Sequence, residues 1–259
     1  MKKFITNKIT LTVLGIVLFF GLWYLIFILA GSKNTVFPDP ISVVQEAMTY
    51  FAKPYLYKCI FGSLYRMLIG FLSAALLGIV VGMIVGNKIT IKYVLNPTIT
   101  ALKAVPTAAL VYLLLVLTGF KNAPIYIVMV IVFPMVYEAT VSGYQNIDKD
   151  VLMAMRVDSA NKVYNNFVIK FPLSLPYILV GLTSSFALSL KIEIMAEVIT
   201  SSSDVYGLGR AISVSFLSQE NGLIPTFAYA FIAILLMLIF DLLIYIVKKV
   251  FKIKIPTQA

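Results

Sequence analysis

The sequence predicts an all-α, polytopic membrane protein with six transmembrane helices. Of its 259 residues, 61% are apolar and 12% are charged, whereas about 25% of the residues in an average soluble domain are charged. A soluble protein would have to expose part of that apolar surface to water, so most of this chain requires lipid as its solvent. The composition therefore excludes a soluble enzyme, a nucleic-acid-binding domain and a disordered tail.

Six apolar stretches are long enough to cross a bilayer, since a hydrocarbon core of about 30 Å needs about 20 helical residues. We treat residues 1–259 as one transmembrane domain. The predicted spans are 11–30, 60–86, 96–119, 123–144, 175–200 and 223–247. The first is too long and too apolar for a cleaved signal peptide, and we expect Pro106 and Pro134 to kink the third and fourth spans.

The basic residues orient these spans. The net charge of +10 comes from 21 Lys and Arg against 11 Asp and Glu, and most of the basic residues fall inside if the N-terminus is cytoplasmic. Cationic loops at an anionic leaflet account for this charge without nucleic acid. We therefore predict that both termini are cytoplasmic and that the long loop at about 145–171 is cytoplasmic as well.

Composition also excludes several kinds of site. The chain has no histidine, and Cys59 is its single cysteine, so it offers no His-based metal site or general base and no intrachain disulfide. We predict no catalytic, metal-binding or cofactor-binding residues. The sequence Gly-x-x-x-x-Gly-Lys-[Ser/Thr] is missing, so the chain has no P-loop of its own for nucleotide phosphates.

The loop after the first span contains the start of a short helix. Asp39 is a favourable N-cap, and Pro40 suits the first helical position. The apolar residues that follow at helical spacing are Ile41, Val44, Met48 and Phe51. They predict an amphipathic helix on the outer surface, for which two roles stay open: capping the bundle, or touching a substrate.

The long inner loop predicts a pair of amphipathic helices with a break between them. Asp148 can cap the first helix, and the second can start at Asp158 or Ser159. We expect Pro172 and Pro176 to end it before the fifth span. The apolar residues on its face are Val163, Phe167 and Val168. Exposed apolar residues need a lipid surface or a protein groove, and the mixed charges of this loop favour a protein partner.

This inner loop resembles the cytoplasmic loop of the permease subunit of bacterial ABC importers, in the branch that handles nitrate, sulfonate, taurine and thiamine-precursor solutes. The matching residues are Ala154, Arg156, Ala160, Pro172 and Pro176. Met153 stands where that family usually has an acid, and Ser159 where it usually has a glycine. Other matching stretches are Phe37–Ile41, Ser63–Phe71, Gly78–Gly82, Ala104–Thr107, Ala196–Ile199 and Gly207–Gly209.

The resemblance implies a fold like that of type I ABC importer permeases, in a bacterial plasma membrane. It implies that the loop is a coupling helix seated on an ATPase subunit, with these residues in contact: Leu152, Ala154, Met155, Arg156, Ser159, Ala160, Val163 and Phe167. The implied partners are two ATPase subunits that bind the ATP, an external solute-binding protein, a second permease subunit and membrane lipid, but no nucleic acid. The second permease can be an identical copy or a different chain, and a homodimer is the simpler expectation.

Seven ionisable residues fall within or beside the predicted spans: Arg66, Lys103, Glu138, Lys191, Glu193, Glu197 and Asp241. Each costs roughly 2.5–3.5 kcal/mol at mid-span, so each should face protein or water. We predict that the translocation path is lined by Lys191, Glu193, Glu197 and Pro106. The alternative for these charges is an internal salt bridge between spans. Glu138 can pair with Lys103, and Arg66 and Asp241 can snorkel.

The second span carries a stripe of small residues, namely Gly70, Ala74, Gly78, Gly82 and Gly86. Such a stripe lets another backbone approach closely, either inside the bundle or across a dimer seam.

Three functions compete at this point. The first is the permease subunit of an ABC importer, with an alternating-access path for a small anionic or zwitterionic solute. The second is a stand-alone secondary transporter or channel, which usually shows two related halves that we do not see here. The third, an intramembrane enzyme, lacks a nucleophile–base pair.

Overall fold

The structure is a computed structural model that describes residues 8–31, 37–158, 161–201, 205–218 and 220–250. This part of the chain is almost entirely helical, in agreement with the predicted all-α class. Its helices are α1 (Lys8–Leu29), α2 (Pro40–Phe51), α3 (Pro54–Asn87), α4 (Ile89–Ala104), α5 (Thr107–Gln145), α6 (Lys149–Asp158), α7 (Lys162–Tyr164), α8 (Phe171–Thr200), α9 (Leu208–Ser218) and α10 (Ile224–Val250). A π-helical turn, Asn165–Lys170, joins α7 to α8, and a short strand, β1 (Glu220–Leu223), precedes α10.

Within the described ranges, five helical stretches are long and apolar enough to cross a membrane: Thr10–Leu29, Pro54–Asn87, Thr107–Gln145, Asn165–Thr200 and Ile224–Ile246. The third predicted span, 96–119, is not a single helix. Its residues are divided between α4 and the first part of α5, because the backbone is extended at Val105 (ψ 126°) and Pro106 (ψ 128°). Proline lacks an N–H and restricts the residue before it to extended conformations, so Pro106 separates two helices here and does not merely kink one.

Helix α5 contains a second break at Gly119. The backbone there has φ 76° and ψ 165°, a conformation that only glycine adopts readily. The fourth predicted span corresponds to the part of α5 after this break. Pro134 lies inside that part, where the helical dihedral angles continue.

The small-residue stripe of α3 packs against the second part of α5, with the two helices running parallel. The facing pairs are Gly70 and Val128, Gly78 and Val136, Gly82 and Thr140, and Gly86 and Tyr144. A Cβ atom on Gly78 would lie 2.8 Å from Cβ of Val136, and one on Gly82 would lie 2.6 Å from Cβ of Thr140. The stripe therefore serves close packing inside the bundle, the first of its two predicted roles.

Helix α8 runs antiparallel to α5 and packs against both α5 and α3. Gly143 lies against Ser174 near one end of this contact, and Gly181 lies against Ala139 further along it. The buried core continues from α8 to α3, α9 and α10, where residues such as Met67, Leu190 and Ala228 pack together. The helices α3, α5 and α8 thus form the centre of the bundle.

Helix α2 caps one edge of the bundle, and its start is as predicted. Asp39 Oδ2 accepts a hydrogen bond from Ser42 N at 3.0 Å, and Pro40 occupies the first turn. The buried face consists of Val43, Ala47 and Tyr50, whereas Ile41, Met48 and Phe51 are exposed. Tyr50 stacks on Tyr229 of α10, with ring centroids 4.5 Å apart. Burial raises the pKa of Tyr50, and a hydrogen bond with Glu46 raises it further.

The inner-loop helices begin at side-chain caps. Asp148 Oδ1 accepts from Asp150 N at 2.8 Å, as predicted for α6. The second start differs from the prediction, because Asn161 Oδ1 accepts from the backbone N–H groups of Val163 and Tyr164 at 3.0 and 3.2 Å. Asn161 therefore caps the second helix, which begins later than the predicted start at Asp158 or Ser159; the side chain of Asp158 and residues 159–160 lie outside what the structure describes.

The prediction that two prolines end the second inner helix is wrong. The chain is helical from Lys162 through Pro172 and Pro176 to Thr200. Phe171 N donates to Asn166 O, five residues back, so a wide π turn precedes Pro172. The wider turn keeps the ring of Pro172 away from the preceding carbonyl groups, and Pro176 lies inside α8 without ending it.

The packing of Gly70 gives a test with a matched control. A Cβ atom on Gly70 would lie 2.6 Å from Ile125 O, whereas no described atom lies within 4 Å of that position on Gly21 in α1. We expect Gly70→Ala to destabilise the protein by about 1–3 kcal/mol through overpacking. Gly21→Ala should be neutral, or stabilising by up to about 1 kcal/mol. Thermal unfolding in detergent measures both, and shifts of the same sign and size would contradict the close packing.

Candidate functional site: a buried ion cluster and an exposed docking face

A buried ion cluster joins α3 to α8. Arg66 Nε donates to Glu193 Oε1 at 3.0 Å, and Arg66 Nη2 pairs with Glu197 Oε1. Arg66 is 7% exposed, Glu193 0% and Glu197 3%. Glu193 and Glu197 lie on the same face because they are four residues apart on one helix. These two carboxylates thus form the internal salt bridge that the sequence left open as an alternative.

The cluster also holds the segment that leads into α9. Ser63 Oγ lies 2.8 Å from both carboxylate oxygens of Glu197 and accepts from Leu208 N at 2.8 Å. Gly209 N donates to Glu197 Oε2 at 2.8 Å, and Arg66 Nη2 donates to Tyr206 O at 2.9 Å. Backbone groups of Tyr206, Leu208 and Gly209, all in this one segment, are therefore held by the ion cluster and by Ser63 beside it.

Two glycines make this approach possible. A Cβ atom on Gly207 would lie 2.7 Å from Arg66 Nη2, and one on Gly209 would lie 2.2 Å from Ile194 O. The Gly-Leu-Gly stretch noted in the sequence therefore lets the backbone reach the carboxylate of Glu197. Two carboxylates face one guanidinium here, and Glu193 Oε2 has no hydrogen-bond partner among the described residues.

The other predicted intramembrane charges lie elsewhere. The interpretation of Arg66 as a snorkelling side chain is wrong, because its head group is held between two carboxylates. Lys103 Nζ lies 2.8 Å from Glu138 Oε1, as predicted, and both side chains are about half exposed. Lys191 and Pro106 are exposed, so the structure does not bring Lys191 together with Glu193 and Glu197.

The predicted coupling residues divide between buried anchors and an exposed face. Met155 is buried, Leu152 is half-buried, and Ala154 is exposed. Val163 and Phe167 are 66% and 58% exposed. The side chain of Arg156 and residues Ser159 and Ala160 lie outside what the structure describes. The exposed apolar residues of this region, which we call the docking face, are Met153, Val163, Tyr164, Phe167 and Val168.

A polar junction ties the docking face to the end of α3. Asn87 Nδ2 donates to Asn166 Oδ1 at 2.7 Å, and Lys170 Nζ donates to Asn87 Oδ1 at 2.8 Å. Asn87 Nδ2 also reaches Met83 O at 2.8 Å. Sequence reasoning missed this junction, and the available signal was an asparagine directly after the glycine stripe of an apolar span.

Several proteins are similar in sequence to most of this chain. It is 30% identical over 190 residues to a "Probable ABC transporter permease protein" of Brucella melitensis, covering 73% of this chain and 75% of that protein. It is 28% identical over 223 residues to a nitrate import permease protein of Leptolyngbya laminosa, covering 81% and 76%. Further relatives are named as permease proteins for aliphatic sulfonates, taurine and bicarbonate.

The fold has solved counterparts. An inward-facing structure of the MetNI methionine ABC transporter superposes with a TM-score of 0.64 at 12% identity, covering 78% of this chain and 97% of that one. At this identity the match bears on the fold alone. It agrees with the predicted polytopic fold of the type I importer permeases.

The long apolar helices, the close helix packing at glycines and the ion pairs formed inside the bundle define a multi-pass membrane protein. Residues 74–252 match the model of the binding-protein-dependent transport system inner membrane component family, and the chain belongs to that family. The resemblance drawn from the sequence and the function of an ABC importer permease subunit are thereby confirmed.

Because the ion cluster is buried, we expect removal of the Arg66 charge to cost much more stability than removal of the Lys103 charge. Arg66→Met leaves Glu193 and Glu197 buried without a cation, which should destabilise the protein by about 3–5 kcal/mol. Lys103→Met leaves only the half-exposed Glu138 and should change the stability by at most about 1 kcal/mol. Unfolding midpoints in detergent check this.

A rescue variant separates charge from packing. Adding Glu193→Gln and Glu197→Gln to Arg66→Met should recover part of the lost stability, because no uncompensated charge stays buried. Equal midpoints for the Arg66 and Lys103 variants would argue against a central role for the cluster.

Proposed function

We propose that this chain forms half of an alternating-access path for a small anionic or zwitterionic solute, and that separate subunits drive it and supply it. Two ATPase subunits would bind and hydrolyse the ATP, and an external solute-binding protein would deliver the solute. The observation that carries the proposal is the docking face, because Val163 and Phe167 are 66% and 58% exposed on a helix pair beside the bundle. Large exposed apolar residues on a helix need a partner that covers them.

The proposed orientation has both termini and the docking face in the cytoplasm. The excess of Lys and Arg in the segments on that side supports this orientation. The membrane would be the bacterial plasma membrane. A second copy of the permease would complete the path, and a homodimer is the simplest assembly.

Helix α3 connects the docking face to the buried ion cluster. It has 34 residues and is therefore about 50 Å long, longer than the hydrocarbon core of a bilayer. Asn87 at one end bonds to the inner-loop helices, and Arg66 within it bonds to α8 and to Tyr206 O. A displacement of the docking face on ATP binding would reach the segment before α9 through this helix.

The proposed solute class rests on the solutes named for the relatives and on the exposed positive charge of Lys191. Nitrate, sulfonates, taurine and bicarbonate, which appear in the names of relatives, all carry a negatively charged oxygen group. Of the predicted path residues, we retain Lys191 and Pro106 because they are exposed. Glu193 and Glu197 are occupied by Arg66 and are better explained as structural.

The docking face predicts loss of ATPase binding when a charge is placed on it. Val163→Asp and Phe167→Asp should each weaken co-purification with the ATPase subunit by about 30-fold, as expected for a residue worth about 2 kcal/mol at an interface. Met48→Asp is the matched control, since Met48 is 65% exposed but lies on α2 at the opposite end of the bundle. Uptake by the chain alone in liposomes under an ion gradient would instead support a stand-alone transporter.

A substitution at the polar junction of Asn87 should impair coupling between ATP hydrolysis and uptake, and not binding of the ATPase subunit. Asn87→Ala removes bonds to Asn166 and Lys170, each worth about 1 kcal/mol. We expect the ATPase subunit to stay bound while uptake per ATP hydrolysed falls about fivefold or more. Asn146→Ala is the control, because that side chain, directly after α5, bonds only locally to Ser142 O among the described residues. Full uptake in the Asn87 variant would refute the proposed transmission.

A further inference from the structure

Helix α8 carries two exposed residues on a face that the other described elements cover only in part. Glu193 and Glu197 are buried toward α3, and Ile192 and Ala196 are buried in the core shared with α5. Lys191 is exposed, and so is Ser184. These two residues are seven apart, which places them on one face about two helical turns from each other.

The charge of Lys191 is not neutralised within the described part of the chain. The ion pairs there join Arg66 to Glu193 and Glu197, and Lys103 to Glu138. The carboxylates nearest to Lys191 in sequence are thus turned away from it and already bound. An unpaired ammonium group facing hydrocarbon would cost roughly 2.5–3.5 kcal/mol, so this face of α8 requires water or a polar partner.

Water inside a permease is found along the path, and a fixed charge at a low-dielectric wall concentrates ions of the opposite sign. We propose that the Lys191–Ser184 face of α8 borders the water-filled path and that the ammonium group of Lys191 selects for anions there. This inference rests on the proposed function and adds to it the residue that sets the sign of the solute charge. In a two-fold symmetric pair, both copies of Lys191 would contribute to the same potential.

The test uses thiol labelling and needs no knowledge of the solute. Cys59, the single cysteine, is buried, so Cys59→Ala with Ser184→Cys offers one reactive position. The full-length chain is labelled in right-side-out and inside-out membrane vesicles. The probes are an anionic reagent, sulfonatoethyl methanethiosulfonate, and a cationic one, trimethylammonioethyl methanethiosulfonate. The measured quantity is the ratio of the anionic to the cationic labelling rate.

We expect both reagents to reach the introduced cysteine. Lys191→Gln should lower the anionic-to-cationic ratio by roughly three- to tenfold, as expected for one charge about 10 Å away at an intermediate dielectric. Lys191→Arg should keep the ratio of the parent. Lys121→Gln is the matched control for losing one positive charge, because Lys121 lies near Thr200 at the far end of α8, and it should leave the ratio unchanged.

Two results would overturn the inference. Absence of labelling by both reagents would show that this face of α8 meets no water. Labelling with a ratio that ignores Lys191 would show that the ammonium group does not set the local potential. Neither result depends on an ATPase subunit, so failure here is distinct from failure of the docking-face experiments.

Discussion

Ionised side chains inside a membrane span need a counter-charge, a hydrogen bond or water, because hydrocarbon offers none of these. The bundle meets this requirement for Arg66 by bringing two carboxylates of α8 against α3. The same carboxylates recruit Ser63 and the backbone of Gly209. This intramembrane ion cluster therefore joins α8 to α3 and holds the segment where the chain turns into α9.

The central helices differ in how rigidly they connect the two ends of the bundle. Helix α3 runs without a break for 34 residues, and its glycines keep it in close contact with α5. In contrast, the chain from α4 to α5 is broken at Pro106 and again at Gly119. A stiff, closely packed helix transmits a displacement along its length, whereas breaks allow neighbouring segments to reorient. The fold thus combines one rigid connection with one divided helix.

Features set by local chemistry could be predicted from the sequence. The caps at Asp39 and Asp148 follow from short polar side chains before apolar runs, and the glycine stripe follows from its spacing of four residues. The pair of Lys103 and Glu138 follows from the need to compensate charges within spans.

Features set by tertiary partners could not be predicted. Burial of Arg66 depends on which face of α8 meets α3, and no local pattern encodes that choice. The junction at Asn87 depends on the position of a neighbouring segment, whereas the cap at Asn161 is local and was missed because Asp158 and Ser159 offered earlier helix starts. The division between α4 and α5 was missed because apolarity continues through Pro106, while the backbone conformation does not.

The π-helical turn at Asn165–Lys170 sets the angular position of everything that precedes it. A π turn holds one residue more than the α-helical turn it replaces, and each residue of an α-helix advances the side chains by about 100°. Removing one residue from this turn would restore regular α-helical winding and leave Val163 at nearly the same angle around the helix axis, whereas removing one residue from a regular α-helical turn would rotate it by roughly 100°. The orientation of the docking face therefore depends on backbone winding as well as on side-chain identity, and the π turn accommodates one residue that regular α-helical winding could not absorb without rotating this face.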